Sequence, residues 1–197
     1  MPLIIKNTQD LKKAPRYPDS TYNLRRMNLK FANLINVNLI GADLLDANLT
    51  GANLTGANLQ YANLTNANLT GVNLTICMKL TGMNLTNVNL TDMNLEGVDL
   101  LRGNLTNVNL TNVNLTNVNL TNVNLTSVIL KGVNLTGMNL TGVNLTGMNL
   151  KGVDLLGINL YYANLTQADL KGANLTDANL EDVNLINANL TGAIMEF

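Results

Sequence analysis

Residues 52–71 read ANLTG ANLQY ANLTN ANLTG, and this five-residue pattern decides the fold. Thirty-five consecutive units of this kind run from Tyr22 to Phe197, with one extra residue near Ile76 and Cys77. Leu occupies the central position in 34 of them. A period held over most of a chain indicates one short supersecondary unit that is copied and stacked.

The order of side chains within a unit predicts a very short strand followed by a corner. The central Leu and the small or apolar residue two positions before it point to one side of an extended segment. The residue between them is Asn or Asp in 32 of 35 units and points to the other side, as does the Thr after the Leu. The fifth position is rich in residues that favour turns. A 3.6-residue helical period cannot keep this pattern on one face, so the chain is predicted to coil with strands about 4.8 Å apart.

The extra residue interrupts the phase between Leu74 and Leu80. One additional residue in an extended strand would turn every later side chain to the opposite side. Because the Leu pattern resumes at once, the sequence predicts a bulge or a widened corner at Ile76–Cys77 that absorbs the residue locally.

The Ala-(Asn/Asp)-Leu-x-x pattern closely resembles that of the pentapeptide-repeat proteins, over 176 of 197 residues. The resemblance implies an all-β fold, a right-handed quadrilateral parallel β-helix (a β-solenoid), in which 35 units at four per turn make about nine coils. Residues 22–197 form the repeat domain, with the phase break near 76–77. Residues 1–21 contain all three prolines and are predicted to cap the first open coil, with a short helix near Gln9–Lys13.

Composition and charge exclude several functional classes. The net charge of −1 argues against a generally basic surface, so no direct nucleic-acid binding is expected. No apolar stretch approaches about 18 residues, and Leu3-Ile4-Ile5 is too short for a signal peptide, so no membrane association is expected. A single cysteine cannot form an internal disulfide, which favours a cytoplasmic location.

The residue types needed for catalysis are scarce. The chain has no histidine, and its serines are Ser20 and Ser127. No metal-ligand spacing, nucleophile–base pair or glycine-rich phosphate loop is present. The sequence therefore predicts a protein that is not an enzyme and has no catalytic, cofactor-binding or metal site. Cys77 is interpreted as a small filler at the phase break, with a reactive thiol as the alternative.

With four units per turn, residues 20 apart share a column. One column then contains a row of threonines beside a row of asparagines: Thr86, Thr106, Thr126, Thr146 and Thr166, with Asn84, Asn104, Asn124, Asn144 and Asn164. Such rows could order water as an ice surface does, or could stabilise the coil through stacked side-chain hydrogen bonds. Threonine rows on several faces favour the second interpretation.

Another column contains Lys131, Lys151 and Lys171. These lysines form either an anion-binding stripe or, as is more usual, a solvated row, and Asp169 can neutralise Lys171. Lys131 and Lys151 are the only charged residues in 103–153.

Outward apolar residues interrupt the polar coat in several units. Tyr161 and Tyr162, together with Ile186, are the candidate lateral contact patch. Single exposed apolar residues are ordinary, so this patch is a hypothesis that rests on the pairing of two aromatic residues.

The C-terminal end is predicted to self-associate. Ile194 replaces the outward Asn, Met195 replaces the inward Leu, and Phe197 occupies a corner, so apolar side chains gather at an open strand edge. A closed two-fold homodimer through these coils would bury them, and the family resemblance implies the same arrangement. The competing arrangement is head-to-tail contact with the basic N-terminus, where residues 1–30 hold seven Lys/Arg against two acids.

The sequence predicts a structural or interaction scaffold with an unknown protein partner. Two alternatives remain open. The family resemblance implies that some members protect DNA gyrase from quinolones by mimicking DNA with an acidic rod, but residues 103–153 here are neutral to basic. The second alternative is an ice-binding protein.

A further expectation concerns Gly103, the only Gly two positions before a central residue. Met83, one coil earlier, is predicted to fill the space left by its missing side chain, because Met adapts to irregular gaps.

Overall fold

A computed structural model describes residues 5–72, 74 and 80–196. Its regular elements are one short helix, α1 (Thr8–Leu11), and a series of isolated β-bridges that are almost all parallel. Most bridges are formed by the outward residue that precedes a central Leu. In the described residues each strand is a single bridged residue, because a corner follows it.

Bridged residues are 20 apart along most of the chain, as in Asn144↔Asn164. Twenty residues are four units of five, so one coil contains four units. Asn63 pairs instead with Asn84, 21 residues later, and the next pair in that column is again 20 apart. One coil thus takes up the extra residue. The bulge expected at Ile76–Cys77 lies outside the described residues.

The units stack into four columns, named here by the outward residue of one coil. Column A contains Asn104, column B Asn109, column C Asn114 and column D Asn119. Parallel stacking places equivalent residues of successive coils about 4.8 Å apart.

The backbone hydrogen bonds of one unit explain why the repeat contains Asn or Asp. In the unit 163–167, the Ala163 amide donates to a backbone carbonyl across the corner at 2.8 Å. The Asn164 amide donates to the previous coil at 2.9 Å, and the Leu165 and Gln167 amides donate to the next coil at 2.8 and 2.9 Å. The amide of Thr166 points outward, and the Asn164 side-chain oxygen accepts it at 3.0 Å. The Thr166 hydroxyl donates to the same oxygen at 2.7 Å. Asn or Asp therefore supplies the acceptor for the outward amide, the one that follows the central Leu. A buried or half-buried amide without an acceptor would destabilise the coil.

Each corner requires a residue with positive φ. At the fifth position of the units φ lies between 56° and 72°, the value that a type II turn needs at its third residue. Gly and Asn adopt it readily. Phe31 and Tyr61 adopt it as well, and their rings lie against Gly51 and Gly82 of the next coil, where an added Cβ would be 2.6 and 2.5 Å from ring carbons. Glycine is required at those two corners because the aromatic ring occupies the space of its side chain.

The central leucines form one continuous core, which also includes apolar residues of the N-terminal segment. From Leu24 to Leu125, the described central leucines are at most 4% exposed. Ile5 and Leu11 are buried against the first coil, and Asn7 pairs with Asn33. The helix expected near Gln9–Lys13 is α1, and the Asn7 side chain caps it by accepting the amides of its first turn at 2.9 and 3.1 Å.

The side chain nearest to the space beside Gly103 is that of Leu105, whereas Met83 was expected there. Met83 is buried, but the side-chain atom nearest to a Cβ built on Gly103 is Leu105 Cδ1, at 3.3 Å. The Leu100 carbonyl oxygen lies at 2.9 Å, so even an alanine would be crowded at this position. Leu105, within the same unit, therefore lies closer to the missing side chain than any atom of the Met83 side chain does.

The stack opens between residues 113–120 and 133–139. In column A these two coils are bridged, through Asn104 and Asn124. In columns C and D no bridge among the described residues joins Asn114 to Asn134 or Asn119 to Asn139. The separation leaves a cleft of about 790 Å³ between the two coils. A Cβ on Gly137, one coil after Asn117, would meet nothing within 4 Å, whereas Gly132 and Gly142 lie directly over the Asn112 and Asn122 side chains of the coil before them.

Two departures from the repeat accompany this opening. Ile129 replaces the outward Asn, and in the described part of the chain the Lys131 amide has no side-chain acceptor of the usual kind. Leu130 is partly exposed, unlike the central leucines before it, as are Val133 and Met138. The missing acceptor opposes tight stacking of this coil.

We expect Asn109→Ile to destabilise the protein by about 1 kcal/mol, because the Thr111 amide, 2.9 Å from Asn109 Oδ1, would lose its acceptor. Asn109→Asp keeps that acceptor and should cost much less. Denaturant unfolding of the two variants measures the difference. Equal destabilisation by Ile and Asp would contradict the role given to the side-chain oxygen.

Candidate interaction surfaces

The last coil is open, in contrast to the first. Leu180, Leu185 and Leu190 are partly exposed, whereas the leucines of the first coil are completely buried. Ile194 is 50% and Met195 42% exposed at the same end. Of the three residues expected at a dimer interface, these two thus lie together on an accessible edge. Phe197 lies outside the described residues.

Acidic side chains surround this open end. Asp177 and Glu196 lie in column C, where the Asp177 amide donates to the Glu196 carbonyl at 2.9 Å. Glu181 and Asp182 follow in column D and are exposed. None of these four carboxylates is in a salt bridge with another described residue. Any surface that covers the open coil therefore meets negative charge at its edge.

The expected lateral patch divides between two columns. Tyr161 and Tyr162 pack edge to face, with ring centroids 4.4 Å apart, and the Tyr162 side chain is largely exposed. Both belong to the unit of column D. Ile186 is equally exposed but belongs to column A, in the next coil, where its carbonyl accepts the Gln167 amide at 2.9 Å.

Sequence reasoning missed an apolar collar around the first two coils. Phe31, Ile35, Ile40 and Tyr61 are all exposed there, Phe31 to 70%. The Lys30 ammonium lies 5.0 Å from the centre of the Phe31 ring. The signal was present in the repeat, because Ile35 and Ile40 occupy positions that are usually Thr, and Phe31 and Tyr61 occupy corner positions that are usually Gly or Asn.

Asp43 joins the N-terminal segment to the repeat. Tyr17 Oη donates to Asp43 Oδ2 at 2.8 Å, Arg25 Nη1 donates to the same oxygen at 3.0 Å, and Asn63 Nδ2 donates to Oδ1 at 3.2 Å. Burial alone would raise the pKa of the Asp43 carboxyl. Hydrogen bonds from Tyr17, from the Leu45 amide and from Arg25 outweigh that effect, so the pKa lies below its ordinary value.

The asparagine and threonine rows of column A form a hydrogen-bonded ladder. Asn124 Nδ2 donates to Asn104 Oδ1 at 3.3 Å and to Thr106 Oγ1 at 3.0 Å, and Asn144 repeats this pattern one coil later. The Thr106 hydroxyl donates to Asn104 Oδ1 at 2.6 Å. The threonine hydroxyls are therefore engaged within the protein, which favours the stabilising interpretation of these rows over ordered water.

The described residues contain no cluster of three or more His, Cys, Asp or Glu side chains placed to hold a metal ion. Within the same residues no helix is long and apolar enough to cross a membrane. Cys77 lies outside the part of the chain that the structure describes.

Comparison with known families gives one match. The family described as Pentapeptide repeats matches in eight copies, over residues 23–44, 47–75 and 79–101 and, in overlapping copies, over 104–196. No curated protein is found as a relative.

Several solved structures are similar to the chain. HetL, a pentapeptide repeat protein involved in heterocyst differentiation regulation from the cyanobacterium Nostoc sp. strain PCC 7120, is 28% identical, with 96% of this chain and 94% of HetL covered and a TM-score of 0.43. Full-length QnrB1, a plasmid-mediated fluoroquinolone resistance protein, is 13% identical, with 86% and 89% covered and a TM-score of 0.51. Rfr23 from the cyanobacterium Cyanothece 51142 is 23% identical, with 82% and 90% covered and a TM-score of 0.29. The similarity to QnrB1 concerns the fold alone.

We expect Asp43→Asn to lower the melting temperature at pH 7 by about 2–4 °C, the shift that corresponds to roughly 1 kcal/mol in a chain of this size. Because the pKa of Asp43 is lower in the folded chain than in the unfolded one, its ionised form stabilises the fold at neutral pH. That contribution is lost as the pH falls below about 4, so the two proteins should converge in acid.

Asp154→Asn is the matched control, because Asp154 accepts from the Leu156 amide and from Asn174 but has no cationic partner within the described residues. Thermal melts at pH 7 and pH 3 measure the effect. A difference between wild type and Asp43→Asn that stays constant with pH would refute the ionic role of Asp43.

Proposed function

The chain belongs to the pentapeptide-repeat family, and on this premise we propose that it is a non-enzymatic scaffold that binds a protein partner. We propose for it the right-handed quadrilateral coil of about nine turns that its 35 units allow, with residues 1–21 as the N-terminal cap. The observation that carries the proposal is the contrast between a repeat surface whose polar groups bond to one another and a C-terminal coil whose apolar groups are uncovered.

The repeat surface offers little for catalysis. Its outward side chains are mostly Asn and Thr, and those of column A are held in the ladder already described. The salt bridges among described residues lie between residues 10 and 46. One lies within the N-terminal segment, between Lys13 and Asp10, and two join the first coil to the second, at Arg25–Asp43 and Arg26–Asp46. A cytoplasmic location is part of the proposal and rests on the single cysteine.

The open C-terminal coil supports a homodimer as the functional form. An uncovered strand edge with apolar side chains promotes uncontrolled association, and a second copy related by a two-fold axis covers both edges at once. Ile194 and Met195 would lie at the centre of that contact. The carboxylates of Asp177 and Glu196 would then face their counterparts, so the contact should strengthen as salt screens them.

The gyrase-binding alternative has one observation in its favour. The six acids of 154–197 are concentrated in the last coils, opposed by Lys171 alone, and so give one end of the molecule a negative surface. The rest of the length lacks this charge, since 103–153 carries two lysines and no acid. Absence of any effect on gyrase supercoiling at low salt, where charge-driven binding is strongest, would exclude DNA mimicry.

We expect Ile194→Asn to convert a dimer into a monomer at micromolar concentration. The substitution restores the consensus Asn, which can accept the Glu196 amide as other outward Asn side chains accept theirs, so folding is preserved while an apolar contact is removed. Light scattering on the full chain measures the mass.

Ile129→Asn is the control, since Ile129 is equally exposed, at 52%, and also replaces the outward Asn, but lies in the middle of the stack. It should leave the dimer intact. A monomeric wild type, or equal loss of mass in both variants, would rule out the C-terminal interface.

A further inference from the structure

The three lysines of column B follow one another on consecutive coils. Lys131, Lys151 and Lys171 all stand directly after the central Leu, and all three are exposed. The Gly152 amide donates to the Lys171 carbonyl at 2.9 Å, so these two coils are in register at the lysines. Stacked coils are about 4.8 Å apart, so Lys151 and Lys171 are neighbours, and Lys131 continues the same column on the preceding coil.

No described carboxylate neutralises this row through a salt bridge. Asp169, on the same face, is the nearest candidate in sequence. Its Oδ1 accepts the Lys171 amide at 3.1 Å and Asn189 Nδ2 at 3.0 Å, so that oxygen is engaged by neutral donors. The row therefore keeps a net positive charge on a molecule whose overall charge is −1.

Like charges on adjacent strands repel. Lys151 and Lys171 nevertheless stay in register, since Asn149 and Asp169 supply the side-chain acceptor that Ile129 lacks. Column B is bridged from Asn109 to Ile129 and from Asn149 to Asp169, but within the described residues no bridge joins Ile129 to Asn149. The partial exposure of Leu130 marks the same place. Repulsion between Lys131 and Lys151 adds to the missing Asn at position 129 in holding these coils apart.

Glycine corners leave the surface beside the lysines open. Each Lys is followed by a Gly. A Cβ added to Gly152 or Gly172 would meet nothing within 4 Å, whereas one added to Gly132 would meet the Asn112 side chain. An extended ligand could therefore lie beside Lys151 and Lys171 without steric hindrance. The units 128–132, 148–152 and 168–172 contain no aromatic residue on which a nucleobase could stack.

We propose that this lysine column binds a linear chain of phosphate groups and that the bound anion draws the separated coils together. Lysine ammonium groups bind phosphate as point charges, and one chain of phosphates running along the column contacts all three. Inorganic polyphosphate and a nucleic-acid backbone share this chemistry. The lack of a stacking surface favours inorganic polyphosphate.

The test measures binding of inorganic polyphosphate to the full chain and to Lys131→Gln/Lys151→Gln/Lys171→Gln. The affinity of this triple variant for polyphosphate should be at least roughly tenfold lower than that of the wild type at low salt, because the contacts of all three lysines with the anion are lost together. The control Lys6→Gln/Lys12→Gln/Lys13→Gln removes the same charge from the N-terminal segment and should bind nearly as wild type does. Equal loss in both triple variants, or no binding by wild type, would overturn the site.

A single-stranded oligonucleotide with the same number of phosphates distinguishes the two sources. Weaker binding of the oligonucleotide supports inorganic polyphosphate as the ligand, and tighter binding would overturn that assignment. Asp169→Asn should tighten polyphosphate binding, since it removes the one negative charge beside the row.

A second measurement needs no ligand. Lys151→Gln should raise the melting temperature at low salt, and this gain should vanish at high salt, where the repulsion is screened. Polyphosphate should raise the melting temperature of wild type and slow hydrogen exchange in residues 128–135. An unchanged melting temperature in Lys151→Gln would refute the repulsion on which the closing of the coils depends.

Discussion

One hydrogen bond, from the amide after the central Leu to the side-chain oxygen before it, makes the five-residue period possible. In a regularly stacked unit, four amides bond to backbone carbonyls across the corner or in adjacent coils, and the amide after the central Leu points outward, as at Thr166. The Asn164 oxygen accepts that amide without adding a residue to the unit. Asp supplies the same oxygen, which is why Asp43 and Asp169 interrupt the asparagine rows without interrupting the stack.

Much of the fold could be predicted from the sequence because it depends on properties that repeat. The alternation around Leu separates core from surface, and the residue at each corner must tolerate positive φ. What could not be predicted depends on contacts between different coils. At Gly103 the nearest side-chain atom belongs to Leu105, which depends on side-chain direction and not on the repeat pattern. The cleft beside residues 133–139 reflects missing backbone bridges between adjacent coils, which no single unit contains.

The candidate surfaces were predictable to the extent that they are departures from the repeat. Ile194 and Met195 stood out because they replace an outward Asn and an inward Leu, and both are exposed at the open coil. The collar containing Phe31 and Ile35 departs from the repeat just as clearly. It lies beside the irregular N-terminal segment, however, and the sequence alone does not indicate which of these side chains α1 covers. The link from Tyr17 to Asp43 was not predictable for a related reason, since it joins a segment without a period to one that has it.

A coat of interlocked Asn and Thr side chains also limits where recognition can occur. Once Asn104, Asn124 and Thr106 have bonded to one another, few of their donors remain for a partner, and a partner would have to replace those bonds to gain new ones. The free energy of binding to a partner must then come from positions whose residues differ from the repeat consensus, where apolar area or unpaired charge faces solvent. In this chain those positions gather at the two ends and along the lysine column, whereas the regular coils between them act as a rigid spacer that fixes their separation.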